Sequence, residues 1–98
     1  MNPETRIELA FVRWCKANKV VCLKLKADSQ KGLPDRFCLL ENGKTVFIEF
    51  KTETGKLSGH QKLVFEKLKK LGHHIYVCRS KEEAIHAIQT TQLPKTSN

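Results

Sequence analysis

The stretch RFCLLENGKTVFIEFKT, residues 36–52, holds the pattern that decides the predicted fold. It consists of two β-prone runs, 36–40 and 45–52, which are separated by the polar residues Glu-Asn-Gly-Lys. An Asn-Gly pair between two such runs is a strong signal for a β-hairpin. The sequence therefore predicts two antiparallel strands in the middle of the chain.

The length of the hairpin loop decides which side chains face each other across these strands. A three-residue loop with Gly43 in the left-handed conformation places Asp35 directly opposite Glu49. A two-residue Asn42-Gly43 turn shifts the register by one residue and places Asp35 opposite Phe50, on the wrong face. The sequence leaves both loops open, and only the longer one brings two carboxylates together.

Helices and two further strands are predicted on either side of the hairpin. Asn2 is a good N-cap for a first helix, and Ser58 and Ser80 each begin a later helix as part of a capping box. The predicted elements outside the hairpin are a helix over 3–18, a strand over 20–26, a loop over 27–34, a helix from 58 to a stop at Gly72, a strand over 75–78 and a helix over 80–90.

The resulting order, α-β-β-β-α-β-α, predicts an α/β fold in a single domain over residues 1–90. The first three strands can form an antiparallel meander. The strand–helix–strand unit that follows should be a right-handed crossover, which places the fourth strand parallel to the third. We therefore expect a small mixed β-sheet flanked by helices, followed by a flexible tail over 91–98.

The composition narrows the class of protein. A chain of 98 residues corresponds to one domain. No run approaches the roughly 18 consecutive apolar residues of a membrane span, and no signal peptide opens the chain, so we expect no membrane partner. Eighteen Lys and Arg residues against ten Asp and Glu residues give a net charge of +8, which favours a polyanionic partner.

The cysteines indicate a reducing compartment. Each lies in an apolar run, where a free cysteine behaves as a small hydrophobic residue. No C-x-x-C pair or disulfide framework is present. We therefore expect buried, reduced thiols rather than disulfides or zinc ligands at Cys15, Cys22, Cys38 and Cys78.

Three charged residues carry the predicted chemistry. Glu49 and Lys51 are two residues apart on one strand, so both side chains leave the same face, and Asp35 begins the preceding strand. Two neighbouring carboxylates repel each other and need a cation, and hard oxygen ligands suit Mg²⁺ or Mn²⁺. Such an ion can polarise a phosphoryl oxygen and activate water. The pattern predicts a metal-dependent phosphodiesterase, whereas a turn aspartate beside a surface charge pair is the simpler alternative.

These residues also resemble a known motif. Pro34-Asp35 followed by Glu49-Phe50-Lys51 is similar to the PD-(D/E)xK nuclease motif, and the order of elements resembles the restriction-endonuclease-like core of that superfamily. The likeness extends from Glu4 to about Ile88 and narrows to the VRR-NUC family, especially its small stand-alone phage and bacterial members. The segments that carry it are Gly32-Leu33-Pro34-Asp35, Ile48-Glu49-Phe50-Lys51, Gly55-Lys56-Leu57-Ser58 and Gln61.

The resemblance implies a DNA endonuclease that depends on Mg²⁺ or Mn²⁺. It further implies a homodimer that acts on branched DNA such as Holliday junctions, in the cytoplasm of a bacterium or a phage-infected host cell. Asp35, Glu49 and the carbonyl of Phe50 would hold the metal ion. Lys51 would assist the attacking water, and Gln61 would order the site.

The family also supplies an acidic residue from the first helix, for which this chain has two candidates. Glu4 and Glu8 both lie near the apolar stripe of that helix, and on a helical wheel Glu4 lies closer to it. The setting of Glu4 in Pro-Glu-Thr is also more similar to the opening motif of the family. Glu4 is therefore the predicted metal ligand, and Glu8 is the alternative.

Basic residues near the predicted site are candidates for contact with DNA phosphates. One follows Gly55, and the others flank the loop before Asp35. A basic nucleic-acid-binding module without catalysis, and a monomeric nuclease that nicks flaps, remain as alternatives. The predicted DNA-binding residues are Lys24, Lys26, Lys31, Arg36 and Lys56.

Overall fold

The structure, a computed structural model, describes residues 1–26 and 30–93 and contains the predicted elements in the predicted order. No helix within these residues is long and apolar enough to cross a membrane. The elements are α1 (Pro3–Ala17), β1 (Val21–Lys24), β2 (Arg36–Leu39), a 3-10 turn (Glu41–Gly43), β3 (Thr45–Phe50), α2 (Gly59–Lys70), β4 (His74–Cys78) and α3 (Lys81–Gln92).

The four strands form one mixed sheet in the order β1-β2-β3-β4. Strand β2 pairs with β1 and with β3 in antiparallel fashion, whereas β4 runs parallel to β3. The parallel pair is joined through α2, as expected for a strand–helix–strand crossover. The predicted meander and the predicted parallel pairing of the fourth strand with the third are both confirmed.

The hairpin adopts the longer loop. The backbone N–H of Leu40 donates to the carbonyl of Lys44 at 2.8 Å, which closes a three-residue connection. Gly43 has φ of +74°, in the left-handed region that glycine enters at little cost. The pairing of β2 with β3 follows this register, which continues to Asp35 opposite Glu49. The register required for a carboxylate pair is therefore the one that forms.

The main core lies between one face of the sheet and the two terminal helices. Alternate residues of β3 point to this face because successive side chains of a strand leave opposite faces. Helix α1 covers one part of it and α3 another. The core cluster is Phe11, Cys15, Cys38, Leu40, Val46, Ile48, Phe50, Cys78, Ala84 and Ile88.

The opposite face of the sheet is only partly covered. Helix α2 lies against β4. Where β1 pairs with β2, the opposed residues Val21 and Leu39 are about half exposed, and Leu23 is 42% exposed. Within the described residues, β1 and β2 are the neighbouring strands that both expose apolar side chains to solvent.

The C-terminal helix is longer than predicted. Helix α3 continues to Gln92, so the tail does not begin at residue 91. Thr91 is buried, and its carbonyl accepts a hydrogen bond from Lys44 Nζ at 3.0 Å. These contacts stabilise two helical residues, 91 and 92, beyond the end that the local sequence predicts. The rest of the predicted tail, 94–98, lies outside the described residues.

The predicted capping boxes differ in the structure. Ser58 forms the complete reciprocal box with Gln61. Ser80 accepts a hydrogen bond from the Glu83 N–H at 3.1 Å, but the Glu83 carboxylate binds the N–H of Arg79 rather than that of Ser80. The second box is therefore only half formed, because a neighbouring donor takes the carboxylate.

Candidate active site

Asp35 is fixed at the end of the hairpin by two hydrogen bonds. Its Oδ2 accepts from the backbone N–H of Phe50 at 2.8 Å, and its carbonyl accepts from the N–H of Leu25 at 3.0 Å. The side chain is half-buried. Strand β3 and the residue that follows β1 thus both hold Asp35 in place, on the side of the sheet from which Glu49 emerges.

Glu49 is the buried centre of the site. It is 3% exposed, and its Oε2 accepts a hydrogen bond from Gln61 Nε2 at 2.9 Å. Lys51 Nζ lies 3.4 Å from the same oxygen. The other oxygen, Oε1, is buried and has no hydrogen-bond partner among the described residues. A buried acceptor without a partner is rare and costs free energy unless something else binds it.

Burial makes both acids harder to ionise, and repulsion by Asp35 adds to this effect for Glu49. Loss of hydration raises the pKa of Glu49 to about 7, and the negative charge of Asp35 adds to this effect. Lys51 and Gln61 act in the opposite direction without cancelling it. Burial also raises the pKa of Asp35, against the Phe50 N–H, which lowers it. The two carboxylates are therefore close enough to sense each other.

Gln61 joins helix α2 to this carboxylate. Its Oε1 accepts from the N–H of Ser58 at 2.9 Å, while its Nε2 donates to Glu49. Gln61 therefore fills both of its predicted roles with one amide group: the oxygen caps the helix, and the nitrogen binds the carboxylate of the site. The helix start and the orientation of Glu49 are fixed together.

A glycine brings the loop before Asp35 against the same helix. Gly32 has φ of +87°, and a Cβ at this position would lie 2.6 Å from the carbonyl oxygen of His60. No side chain fits so close to a backbone. The loop and the first turn of α2 are consequently in direct contact, and residues from both reach the site.

The first helix contributes Glu8 to the surroundings of the site. Glu8 is 7% exposed, and its Oε2 accepts from Lys24 Nζ and from Arg36 Nε, both at 2.7 Å. Its negative charge also helps to raise the pKa of Asp35. Glu4 is more exposed, contrary to the order of burial expected from the helical wheel. Glu8 lies three and seven residues before the buried Phe11 and Cys15, a signal that could have identified it.

The basic residues divide into two groups. Lys26, Lys31 and Lys56 are exposed, as a contact with DNA requires. Lys24 and Arg36 instead hold Glu8, although Lys24 remains 46% exposed. Their charge is therefore shared with an acid, which weakens the field that they can offer to a phosphate.

Arg79 was missed by the sequence interpretation. Its Nη1 donates to the carbonyls of Thr52 at 2.6 Å and Gly55 at 2.7 Å. It thus fixes the turn that connects Lys51 with Lys56. No local pattern reveals this role, because the turn lies more than twenty residues earlier in the chain.

The donor set fits a hard divalent cation. Asp35 and Glu49 offer carboxylate oxygens, and Glu49 Oε1 is a buried acceptor that lacks a partner in the part of the chain described. Mg²⁺ and Mn²⁺ bind through one or two carboxylates and keep several waters, so they need no further protein ligands. The residues present are therefore suited to such an ion.

The chain is similar to known proteins over most of its length. Residues 3–82 match the VRR-NUC domain family. A protein of Acyrthosiphon pisum secondary endosymbiont phage 1, named "Putative nuclease p44", is 32% identical over 79 residues, which are 81% of this chain and 85% of the phage protein. A solved structure described as a VRR_NUC domain matches with a TM-score of 0.80 and 26% identity, over 91% of this chain and 97% of the other.

Proposed function

The chain belongs to the VRR-NUC family of nuclease domains, and we propose that it is an endonuclease that cleaves DNA with Mg²⁺ or Mn²⁺. The observation that carries this proposal is Glu49, a buried carboxylate that lies opposite a second acid and has one oxygen without a hydrogen-bond partner among the described residues. Two such acids are costly without a compensating cation. Asp35, Glu49 and the carbonyl of Phe50 would hold that cation.

The other residues of the site have distinct roles in phosphodiester hydrolysis. A bound Mg²⁺ or Mn²⁺ polarises a phosphoryl oxygen and lowers the pKa of a water molecule. Lys51, with its ammonium 3.4 Å from Glu49, would neutralise negative charge that develops on the phosphate. Gln61 would keep Glu49 in one orientation through its hydrogen bond to Oε2.

The acid from the first helix remains a choice between two residues. Glu4 stays a predicted metal ligand, but the contacts of Glu8 favour Glu8, because its charge acts on Asp35. Lys24 and Arg36 would then hold this acid in position rather than bind DNA directly.

The substrate proposed is branched DNA, approached through exposed lysines. Lys26 and Lys31 lie on either side of residues 27–29, and Lys56 follows the turn after Lys51. Their charges would contact phosphates and would make binding sensitive to salt. Selectivity for Holliday junctions rests on the likeness to stand-alone family members. A cytoplasmic location stays a prediction.

A second copy of the chain would cover the open part of the sheet. Val21, Leu23 and Leu39 form an exposed apolar surface on neighbouring strands, and β1 is an edge strand. Exposed apolar surfaces and unpaired strand edges are commonly covered by a partner. A homodimer formed there would present two sites to the two strands of a junction.

Cleavage of a labelled four-way junction, beside a linear duplex of the same sequence, tests the proposed activity. With Mg²⁺ or Mn²⁺ we expect the junction to be cut faster, and with EDTA we expect no cleavage. Asp35→Ala should abolish cleavage, whereas Glu41→Ala, which also removes one carboxylate but in the exposed hairpin turn, should not. An Asp35→Ala variant that cuts at the wild-type rate would refute the assignment. Salt-sensitive binding without cleavage would instead indicate a non-catalytic module.

Two further measurements identify the acid that α1 supplies and the oligomeric state. Glu8→Gln and Glu4→Gln, compared at limiting Mg²⁺, identify the helix-one acid as the variant that needs more metal ion for half-maximal cleavage. Light scattering gives the oligomeric state. Leu39→Lys should yield a monomer, while Leu93→Lys, a change at an exposed leucine just after α3, should not. A wild-type monomer that still cuts flaps would favour the monomeric alternative.

A further inference from the structure

Three of the four cysteines converge inside the fold. Cys15 lies on α1, Cys22 on β1 and Cys38 on β2, and their sulfur atoms all lie within 4.8 Å of one another. Cys15 is 1% exposed and Cys38 is fully buried, whereas Cys22 is partly exposed. All are free thiols, as is Cys78. The three residues are distant in sequence, so the tertiary fold creates this thiol cluster.

The spacing of the sulfur atoms suits a metal ion between them. Zinc binds thiolate sulfur at about 2.3 Å, which sets tetrahedrally arranged sulfurs roughly 3.8 Å apart. Separations of at most 4.8 Å therefore need to shrink by only a modest amount. Among the described residues no carboxylate or imidazole completes the group, so the fourth position would be taken by water on the partly exposed side of Cys22.

The electrostatic surroundings also favour a thiolate in this cluster. Hydrogen bonds from the thiols of Cys15 and Cys38 hold the pKa of Cys22 well below its usual value, and the Arg36 guanidinium lowers it further. The same interactions together with burial raise the pKa of Cys38. Thiolate is the form that binds metal, so a thiol that ionises readily favours metal binding by the cluster.

The cluster is separate from the carboxylate site. Cys38 belongs to the core face of the sheet. Asp35 precedes it by three residues, and because successive side chains of a strand leave opposite faces, Asp35 lies on the other face with Glu49. Soft thiolates select a different class of ion from hard carboxylates. The two sites would therefore not compete for the same metal.

We propose that Cys15, Cys22 and Cys38 bind one thiophilic metal ion, of the Zn²⁺ class, at a second site that fastens the edge of the sheet to the first helix. Strand β1 has only one half-buried residue, Cys22, and its other three residues are exposed. A bound ion would tie this strand to α1 and β2 at the one point where it reaches the core. Binding releases thiol protons and stabilises the folded state.

Titration of the reduced full-length chain with Co²⁺ tests this inference. Excess Mg²⁺ is present to occupy the carboxylates, and only thiolate ligands give sulfur-to-cobalt charge-transfer absorption. We expect this absorption to saturate at one Co²⁺ per chain and to disappear on addition of Zn²⁺. Zn²⁺ at a hundredfold excess over its Kd should also raise the melting temperature by about 10 °C or more.

Two cysteine variants provide the matched comparison. Cys22→Ala should lose the charge-transfer absorption and the thermal shift, and should weaken binding by more than the roughly 100-fold cost of losing an outer-shell contact. Cys78→Ala removes a buried thiol outside the cluster and should keep both signals. Absence of the absorption in the wild-type chain, or its persistence in Cys22→Ala, would overturn the proposal. The measurement is independent of nuclease activity, since Asp35→Ala should behave as the wild type.

Discussion

Replacing Glu49 by glutamine should make the metal-free protein more stable at high pH. The pKa of this carboxyl rises from 4.5 to about 7 because the charged form loses hydration and faces Asp35. A pKa raised by folding means that the folded state binds the proton more tightly than the unfolded state. Stability is therefore fully present below about pH 4.5 and is lost as the pH rises through 7.

The size of the effect follows from this change. Each tenfold change in the protonation equilibrium corresponds to about 1.4 kcal/mol, so ionisation of Glu49 costs the folded state about 3 kcal/mol at pH 8. At 3% exposure, little solvent screening reduces that figure. Glu49→Gln carries no charge at any pH. The stability of the variant relative to the wild type should thus rise by about 3 kcal/mol between pH 4.5 and pH 8.

Urea unfolding in EDTA, measured between pH 4.5 and pH 8.5, determines this difference. Glu66→Gln, the same change at an exposed position on α2, serves as the control and should show no such trend. Mg²⁺ added at pH 8 should restore the stability that the wild-type protein loses at this pH, and it should leave the stability of Glu49→Gln unchanged. A relative stability that does not vary with pH, or that moves in the opposite sense, would refute the view of Glu49 as a buried, strained acid.

Three further predictions concern the surroundings of the site. Gly32→Ala should cost about 2–4 kcal/mol, measured by urea unfolding, because it combines a left-handed backbone with a clash against His60; Gly43→Ala, with open space, should cost only about 1–2 kcal/mol. Arg79→Met should lower the free energy of unfolding by about 2 kcal/mol and reduce kcat more than DNA affinity, since it releases the turn that follows β3. Lys31→Ala should reduce the slope of log Kd against log salt concentration by about 1 while kcat at saturating DNA is unchanged.

The secondary structure and the topology were predictable because local signals agreed. The Asn2 cap, the Ser58 capping box and the Asn-Gly turn each marked an element that the structure contains. The register of β2 against β3 was not predictable from the hydrophobic pattern, because the side chains on both faces of the β2 segment are apolar. Phe37 and Leu39 occupy one, and Cys38 and Leu40 occupy the other. The tertiary packing of the second pair against the terminal helices decides between them.

The choice between Glu4 and Glu8 shows a second limit of prediction from sequence. Glu4 and Glu8 are one helical turn apart on the same side of α1, and they differ mainly by about 6 Å along the helix axis. Only the position of the helix over the sheet determines which of them reaches Arg36. The thiol cluster has the same origin, since its members come from three elements and no spacing along the chain relates them.

The double use of the Gln61 amide has a consequence for motion. Helix ends open more readily than helix centres, and the first turn of α2 depends on the Ser58–Gln61 pair. When that turn frays, Gln61 leaves Glu49 at the same moment, and the carboxylate loses its main orienting contact. Hydrogen exchange at the start of α2 should therefore report how often the site disassembles. Warming should silence the enzyme through this local opening several degrees before the sheet itself melts.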